Sequence, residues 1–276
     1  LTARKICHNG TYKNESEPII RAGNKSYRYG DGFFETLKVW KGAILFETYH
    51  QKRIEKSLDI LQYARPAHFS ITPIFSQVIQ LCEKNGCVHA ARVRLSFSHG
   101  NGGLFDGDDQ LQYIIEAWPL EPANNHFNEN GLVTGFFREI KKSCDSYANI
   151  KSASALLYTV AANYSRLHQW NDCIIWNQRE NICETIIANL FWIKDNRIYT
   201  PALTEGCVDG VMRSFLIDQI GTVTETPCRT EDLLGADEVF LTNAIRGIRW
   251  VKSIEEVNYK GNLSRELHQQ YIQSLF

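Results

Sequence analysis

The chain of 276 residues is long enough to bury a sizeable core and suits two modest domains or one elaborate α/β body. Its 30 basic residues stand against 31 acidic ones, a balance that excludes a nucleic-acid or membrane-surface role driven by bulk charge. The eight cysteines are scattered without a CxxC or HxxxH framework, and no apolar run reaches about eighteen residues; the expectation is a soluble, cytoplasmic protein with reduced thiols and no metal site.

In chain order, RKICHNG reads as a short strand ending at a glycine, and FFETLKVW followed by a Lys41-Gly42 turn and AILF reads as a hairpin. The segment ETYHQKRIEKSLDILQY sets Ile54, Leu58 and Leu61 at i, i+4 and i+7, which predicts an amphipathic helix carrying His50 and Arg53 three apart. A second helix is expected from Thr72 to Asn85, and ARVRLSFS and LQYIIEAW read as strands around the loop HGNGGLFDGDD. The stretch PLEPANNHFNEN, residues 119–130, is rich in proline and asparagine and reads as an interdomain linker between a smaller α/β domain, 1–118, and a larger one, 131–276. Beyond it, GLVTGFF reads as a strand, SASALLYTVAANYSRLHQW as a helix, and DCIIW, ENICET and NLFWIK as strands. A helix over DGVMRSFLIDQI, opened by Asp209 and Gly210, and a strand ADEVFLTNA complete an α/β architecture of the α+β type with a cleft expected between the domains.

Several residues could carry chemistry. Gly210 would expose the N–H groups of Val211 and Met212 at a helix start, a ready anion site, and Thr242, Asn243 and Ala244 offer a hydroxyl, an amide and a tight turn. Arg53 could add charge; each feature alone also reads as capping, a turn or a surface arginine. Glu184 lies in ICETIIANLF among apolar neighbours, where it either needs a partner or faces water at a strand end; opposite a ring nitrogen it would keep that nitrogen protonated. Lys151, in YANIKSAS before ALLYTVAANYSR, is either a snorkelling side chain or a desolvated, reactive amine.

Taken together, YRYGDGFFETLKV at 27–39, HQKRI at 50–54, NIKSAS at 149–154, ETIIANLF at 184–191, YTPALTEGCVDGVMR at 199–213 and ADEVFLTNA at 236–244 resemble the fold-type IV pyridoxal-phosphate enzymes, the class IV aminotransferase family, over nearly the whole chain. The resemblance implies pyridoxal 5′-phosphate in the interdomain cleft, joined as a Schiff base to Lys151, with Glu184 on the ring nitrogen. Its phosphate would meet Arg53, the backbone of Val211 and Met212, and the turn at Thr242, Asn243 and Ala244. Asn189 would support the site; Tyr29 and Phe34 would line the pocket, Tyr29 at the contact of a homodimer. Substrates would be a small amine and a keto acid, with no nucleic-acid or membrane partner.

Two reaction outcomes share this scaffold. The first expectation is an aminotransferase moving an amino group from an amino acid, branched-chain among the candidates, to a 2-oxo acid. The second is 4-amino-4-deoxychorismate lyase, which forms p-aminobenzoate and pyruvate; a third reading is a non-catalytic cofactor-binding protein. ANLFW at 188–192 and GVMR at 210–213 look like the lyases, whereas IKS followed by ASALL is nearer to the D-amino-acid aminotransferases. Arg94 matches an arginine of branched-chain aminotransferases, yet Leu156 stands where those carry a tyrosine. His99 stands where lyases and D-amino-acid aminotransferases favour an arginine for the substrate carboxylate, beside the loop 100–109.

Overall fold

The computed structural model describes residues 4–107 and 110–276, so residues 108 and 109 of the HGNGGLFDGDD loop lie outside the described residues. The chain divides into two compact units: Leu1–Asn124 with Lys151–Ala155, and Asn125–Ile150 with Leu156–Phe276. The division between Asn124 and Asn125 falls inside the proline- and asparagine-rich stretch, where Pro122–Asn125 forms a short 3-10 turn.

Unit 1 contains β1 (Lys5–His8), β2 (Thr11–Asn14), α1 (Lys25–Tyr29), β3 (Phe33–Trp40), β4 (Ala43–Ile44), α2 (Glu47–Ile60), α3 (Thr72–Lys84), β5 (Ala90–Ser98) and β6 (Gln112–Pro119). The strands form an antiparallel sheet in the order β2-β1-β6-β5-β3-β4. Between β3 and β4, Lys41 and Gly42 both have positive φ, 50° and 80°, which gives a two-residue loop the twist that flanking strands need. Alternation along β3 turns Phe33, Glu35, Leu37 and Val39 inward and Phe34 and Thr36 to the opposite face. The buried stripe of α2 is His50, Arg53, Ile54, Ser57 and Leu58, one face of a 3.6-residue period. Fully buried Leu37, Ile54, Leu58, Val78, Val93 and Leu95 form the core here, each worth about 1.5–3 kcal/mol of apolar transfer.

Unit 2 contains β7 (Leu132–Lys142), α4 (Leu156–Leu167), β8 (Asp172–Asn177), β9 (Ile182–Thr185), β10 (Asn189–Lys194), β11 (Arg197–Pro201), α5 (Val211–Ile220), β12 (Thr224–Thr226), α6 (Thr230–Leu234), β13 (Glu238–Asn243), β14 (Gly247–Ile254), β15 (Val257–Asn258) and α7 (Asn262–Tyr271). Among the described residues its strands form a nine-stranded mixed sheet, order β12-β11-β10-β13-β14-β7-β8-β9, with β15 on β14. The pairs β11/β12, β14/β7 and β7/β8 are parallel and the others antiparallel. Its core packs Phe136, Ile174, Ile182, Leu190, Trp192, Val239 and Leu241 together.

One expectation is corrected. The helix predicted from Ser152 begins only at Leu156, because the backbone of 151–153 is used by β3. Phe34 N–H donates to Lys151 O (3.0 Å) and Ala153 N–H to Gly32 O (2.9 Å), an antiparallel bridge across Phe33 and Ser152. The Ser152 hydroxyl accepts the Ser154 N–H at 3.1 Å, a local turn bond that competes with helix formation. Among the described residues no helix is long and apolar enough to cross a membrane.

Candidate active site

In unit 2, β9 places Glu184 in the interior, only 3% exposed, rather than facing water at a strand end. Its Oε1 accepts the Tyr158 hydroxyl at 2.6 Å and the Lys142 ammonium; its Oε2 accepts the Val208 N–H at 2.8 Å. Lys142 ends β7, Tyr158 lies in the first turn of α4 and Val208 precedes α5, so two elements and a loop converge on one carboxylate. Burial, and then the Glu184 charge beside it, raise the Tyr158 hydroxyl far above its ordinary value, so it stays a donor. The thiols of Cys183 and Cys207 pack alongside with Ile175; burial holds Cys207 at about 12, and both remain neutral.

The same unit builds an anion cradle. Asn189 is paired across the sheet with Thr242, and its Nδ2 donates to Val208 O at 2.8 Å. A Cβ added at Gly210 would overlap Asn189 Oδ1, so the close approach at the start of α5 requires glycine. Gly210 caps α5 with no side-chain hydrogen bond, and Val211 and Met212 open the helix. Thr242 Oγ1 is buried and, among the described residues, has no partner. Asn243 spends its Oδ1 on the N–H groups of Ile245 and Arg246, so it shapes the turn through Ala244 rather than offering its side chain to an anion. A helix start whose cap residue has no side chain, a buried hydroxyl without a partner among the described residues and a carboxylate with an acceptor site to spare fit a phosphate and a protonated ring nitrogen.

In unit 1, Arg53 is 9% exposed rather than on the surface. Glu35 takes its Nε at 2.7 Å and Nη2 at 2.5 Å, and takes His50 Nδ1 at 2.6 Å. Burial by itself would raise the Glu35 carboxyl, but the Arg53 and His50 charges and their hydrogen bonds prevail and hold it at about 2. Burial lowers His50, whose Nε2 has no partner among the described residues. Lys151 Nζ lies 4.7 Å from the centre of the Phe34 ring and the Arg94 guanidinium 3.6 Å from it. Lys151 is half-buried, and two cations on one ring keep its environment electropositive.

Arg94 also donates to Ser96 Oγ (3.0 Å) and lines a cavity of about 800 Å³ within unit 1, with His8, Lys13, Ser98 and Glu116 among its other polar walls. His99 is held by Asp31, which accepts its backbone N–H at 3.1 Å and its Nδ1 at 2.9 Å, and its ring stacks on Tyr63 with centroids 3.9 Å apart. Tyr29 is 43% exposed at the end of α1. Unit 1 thus gathers Lys151, Phe34 and Arg94 around one ring and Arg53 with His50 on Glu35, with the Lys151 charge reaching His50, while unit 2 gathers Glu184, Asn189, the start of α5 and Thr242.

Four residues escaped sequence reasoning. Glu35 is in phase with the apolar Phe33, Leu37 and Val39, a charge on a core face that signals a buried partner. Lys142 and Tyr158 bracket Lys151 in sequence but carry no pattern of their own. Asp31 sits in YGDG at 29–32, and only the fold brings it to His99.

The amino-transferase class IV family model matches residues 32–254. The aminodeoxychorismate lyase of Bacillus subtilis (strain 168) is 30% identical over 261 residues, covering 91% of this chain and 87% of that one. The D-alanine aminotransferase of Listeria monocytogenes serotype 1/2a (strain 10403S) is 24% identical over 288 residues, 98% of this chain and 96% of that one. The crystal structure of the branched-chain aminotransferase of Thermoproteus uzoniensis with norvaline superposes with a TM-score of 0.85 at 18% identity, over 98% of this chain and 93% of that one.

Proposed function

The chain belongs to the amino-transferase class IV family of pyridoxal-phosphate enzymes, and from that membership we propose that it is a 4-amino-4-deoxychorismate lyase, releasing pyruvate and p-aminobenzoate. The buried, triply bonded Glu184 is the observation that carries the cofactor assignment to these residues. The choice of lyase over transaminase, which the sequence alone ranked the other way, is supported by the 30% identity to the Bacillus subtilis lyase across 91% of the chain. It is further supported by Leu156, which is 73% exposed at the place of the branched-chain enzymes' tyrosine.

When bound, pyridoxal 5′-phosphate supplies the electron sink for charge developing on the substrate. Glu184 accepts the ring N–H and keeps that nitrogen protonated. The α5 start and the Thr242 hydroxyl receive the phosphate, and Arg53, its plane fixed by Glu35, adds charge. Lys151 takes the proton from the carbon bearing the substrate amine and delivers one to the departing three-carbon fragment, which leaves as pyruvate. Arg94 and His99 are assigned to the substrate carboxylates, and Tyr29 to the contact of a homodimer.

A second reading, transamination, is favoured by the D-alanine aminotransferase that aligns over 98% of the chain. The two are separated by supplying aminodeoxychorismate with no keto-acid acceptor. The lyase releases pyruvate continuously, and Lys151→Ala, with its cofactor still bound non-covalently, loses at least about a thousandfold of the rate. Bleaching of the cofactor absorbance by D-alanine, with product formed only after a 2-oxo acid is added, supports the second reading instead.

A further inference from the structure

Lys142 and Tyr158 have no part in the scheme above, yet both end on Glu184. A carboxylate has about four lone-pair sites, two on each oxygen. Among the described residues, Oε1 accepts from Lys142 Nζ and Tyr158 Oη and is therefore full, whereas Oε2 accepts only from Val208 N–H and has one site left. All three donors come from rigid supports: the last residue of β7, the first turn of α4, and a loop whose Val208 carbonyl is itself held by Asn189. The carboxylate cannot rotate without abandoning two or three charge-assisted bonds in a buried site, where each costs more than at the surface.

We propose that Lys142 and Tyr158 are positioning residues that occupy Oε1 of Glu184 so that Oε2 presents a single acceptor site to a protonated heteroaromatic nitrogen. The inference rests on the cofactor reading above and deepens it. Lys142 has a second task, since it is the countercharge of a carboxylate that is 3% exposed. With that ammonium gone, the buried carboxylate stands without its countercharge and its hold on the ring N–H weakens. Tyr158, a neutral donor, fixes direction without changing charge. The two residues therefore differ in the size of their effect but not in its sign.

The test uses full-length protein loaded with pyridoxal 5′-phosphate carrying ¹⁵N in the ring, and compares wild type with Glu184→Gln, Lys142→Gln, Lys142→Arg and Tyr158→Phe. The ¹⁵N resonance reports ring protonation directly, which a merely structural contact would leave untouched. The expected result is a protonated ring nitrogen in wild type and an unprotonated one in both Glu184→Gln and Lys142→Gln. Lys142→Arg should restore the wild-type resonance, and Tyr158→Phe should give an intermediate shift. In turnover, kcat should fall about a hundredfold in Lys142→Gln and about tenfold in Tyr158→Phe with KM held within about twofold, as expected for losing one bond to a charged group. A change in Glu184→Gln alone, with Lys142→Gln and Tyr158→Phe like wild type, overturns the proposal and leaves the cofactor reading standing. Wild type that takes up no cofactor removes both. If Lys142→Gln does not fold, Tyr158→Phe and Lys142→Arg decide: an unshifted resonance in the former, or no retention in the latter, overturns the proposal.

Discussion

Glu35 is the residue whose chemistry is most exposed to a simple experiment. Its carboxyl, ordinarily at 4.5, is held at about 2, so the stability it contributes is complete above pH 4.5 and is lost as pH falls toward 2. His50, lowered from its ordinary value by burial, contributes in the same direction from higher pH. The stability difference between wild type and a variant lacking the Glu35 carboxylate, measured by urea titration, is therefore expected to shrink as pH falls from 4.5 toward 2. Glu35→Gln should lower stability by about 3 kcal/mol at neutral pH, since it leaves Arg53 buried beside a neutral group, and should flatten the acid limb. An acid limb equal to wild type would contradict this assignment. HQKRI pointed to His50 and Arg53 in the sequence, but their shared anion was hidden, because a glutamate inside a strand announces its burial only through its phase with its neighbours.

At the level of elements, the start of α5 and the stretch after Ile150 show why motifs were easier to read than conformations. Gly210 before Val211 and Met212 read correctly as a helix start, since glycine and the apolar run beyond it are local signals. The SASA stretch looked helical for the same local reason, yet pairing with Gly32 and Phe34 holds it extended. Tertiary hydrogen bonds outweigh the modest propensity of four small residues. The glycine at 210 is needed because Asn189 occupies the space a Cβ would fill. Gly210→Ala is expected to displace Asn189 or the helix start and weaken cofactor binding tenfold or more, on the order of 1.4 kcal/mol, while leaving the secondary structure intact by circular dichroism. Unchanged affinity for pyridoxal 5′-phosphate on fluorescence titration would show that α5 does not meet the phosphate.

Across the whole molecule, the α+β class and the order of the principal strands and helices were legible from periodicity and turns, and the family from six motifs spread along the chain. The support of Glu184 was not, because it draws Lys142, Tyr158 and Val208 from sites tens of residues apart that no short-range pattern links. The central proposal joins these scales: a covalent hold on the cofactor through Lys151. The most direct measurement is borohydride reduction of the cofactor-loaded protein followed by peptide mass spectrometry. The expected result is one pyridoxyl group on the peptide containing Lys151 and loss of that label in Lys151→Ala. Label on Lys142 or another lysine instead, or no label at saturating cofactor, would contradict it.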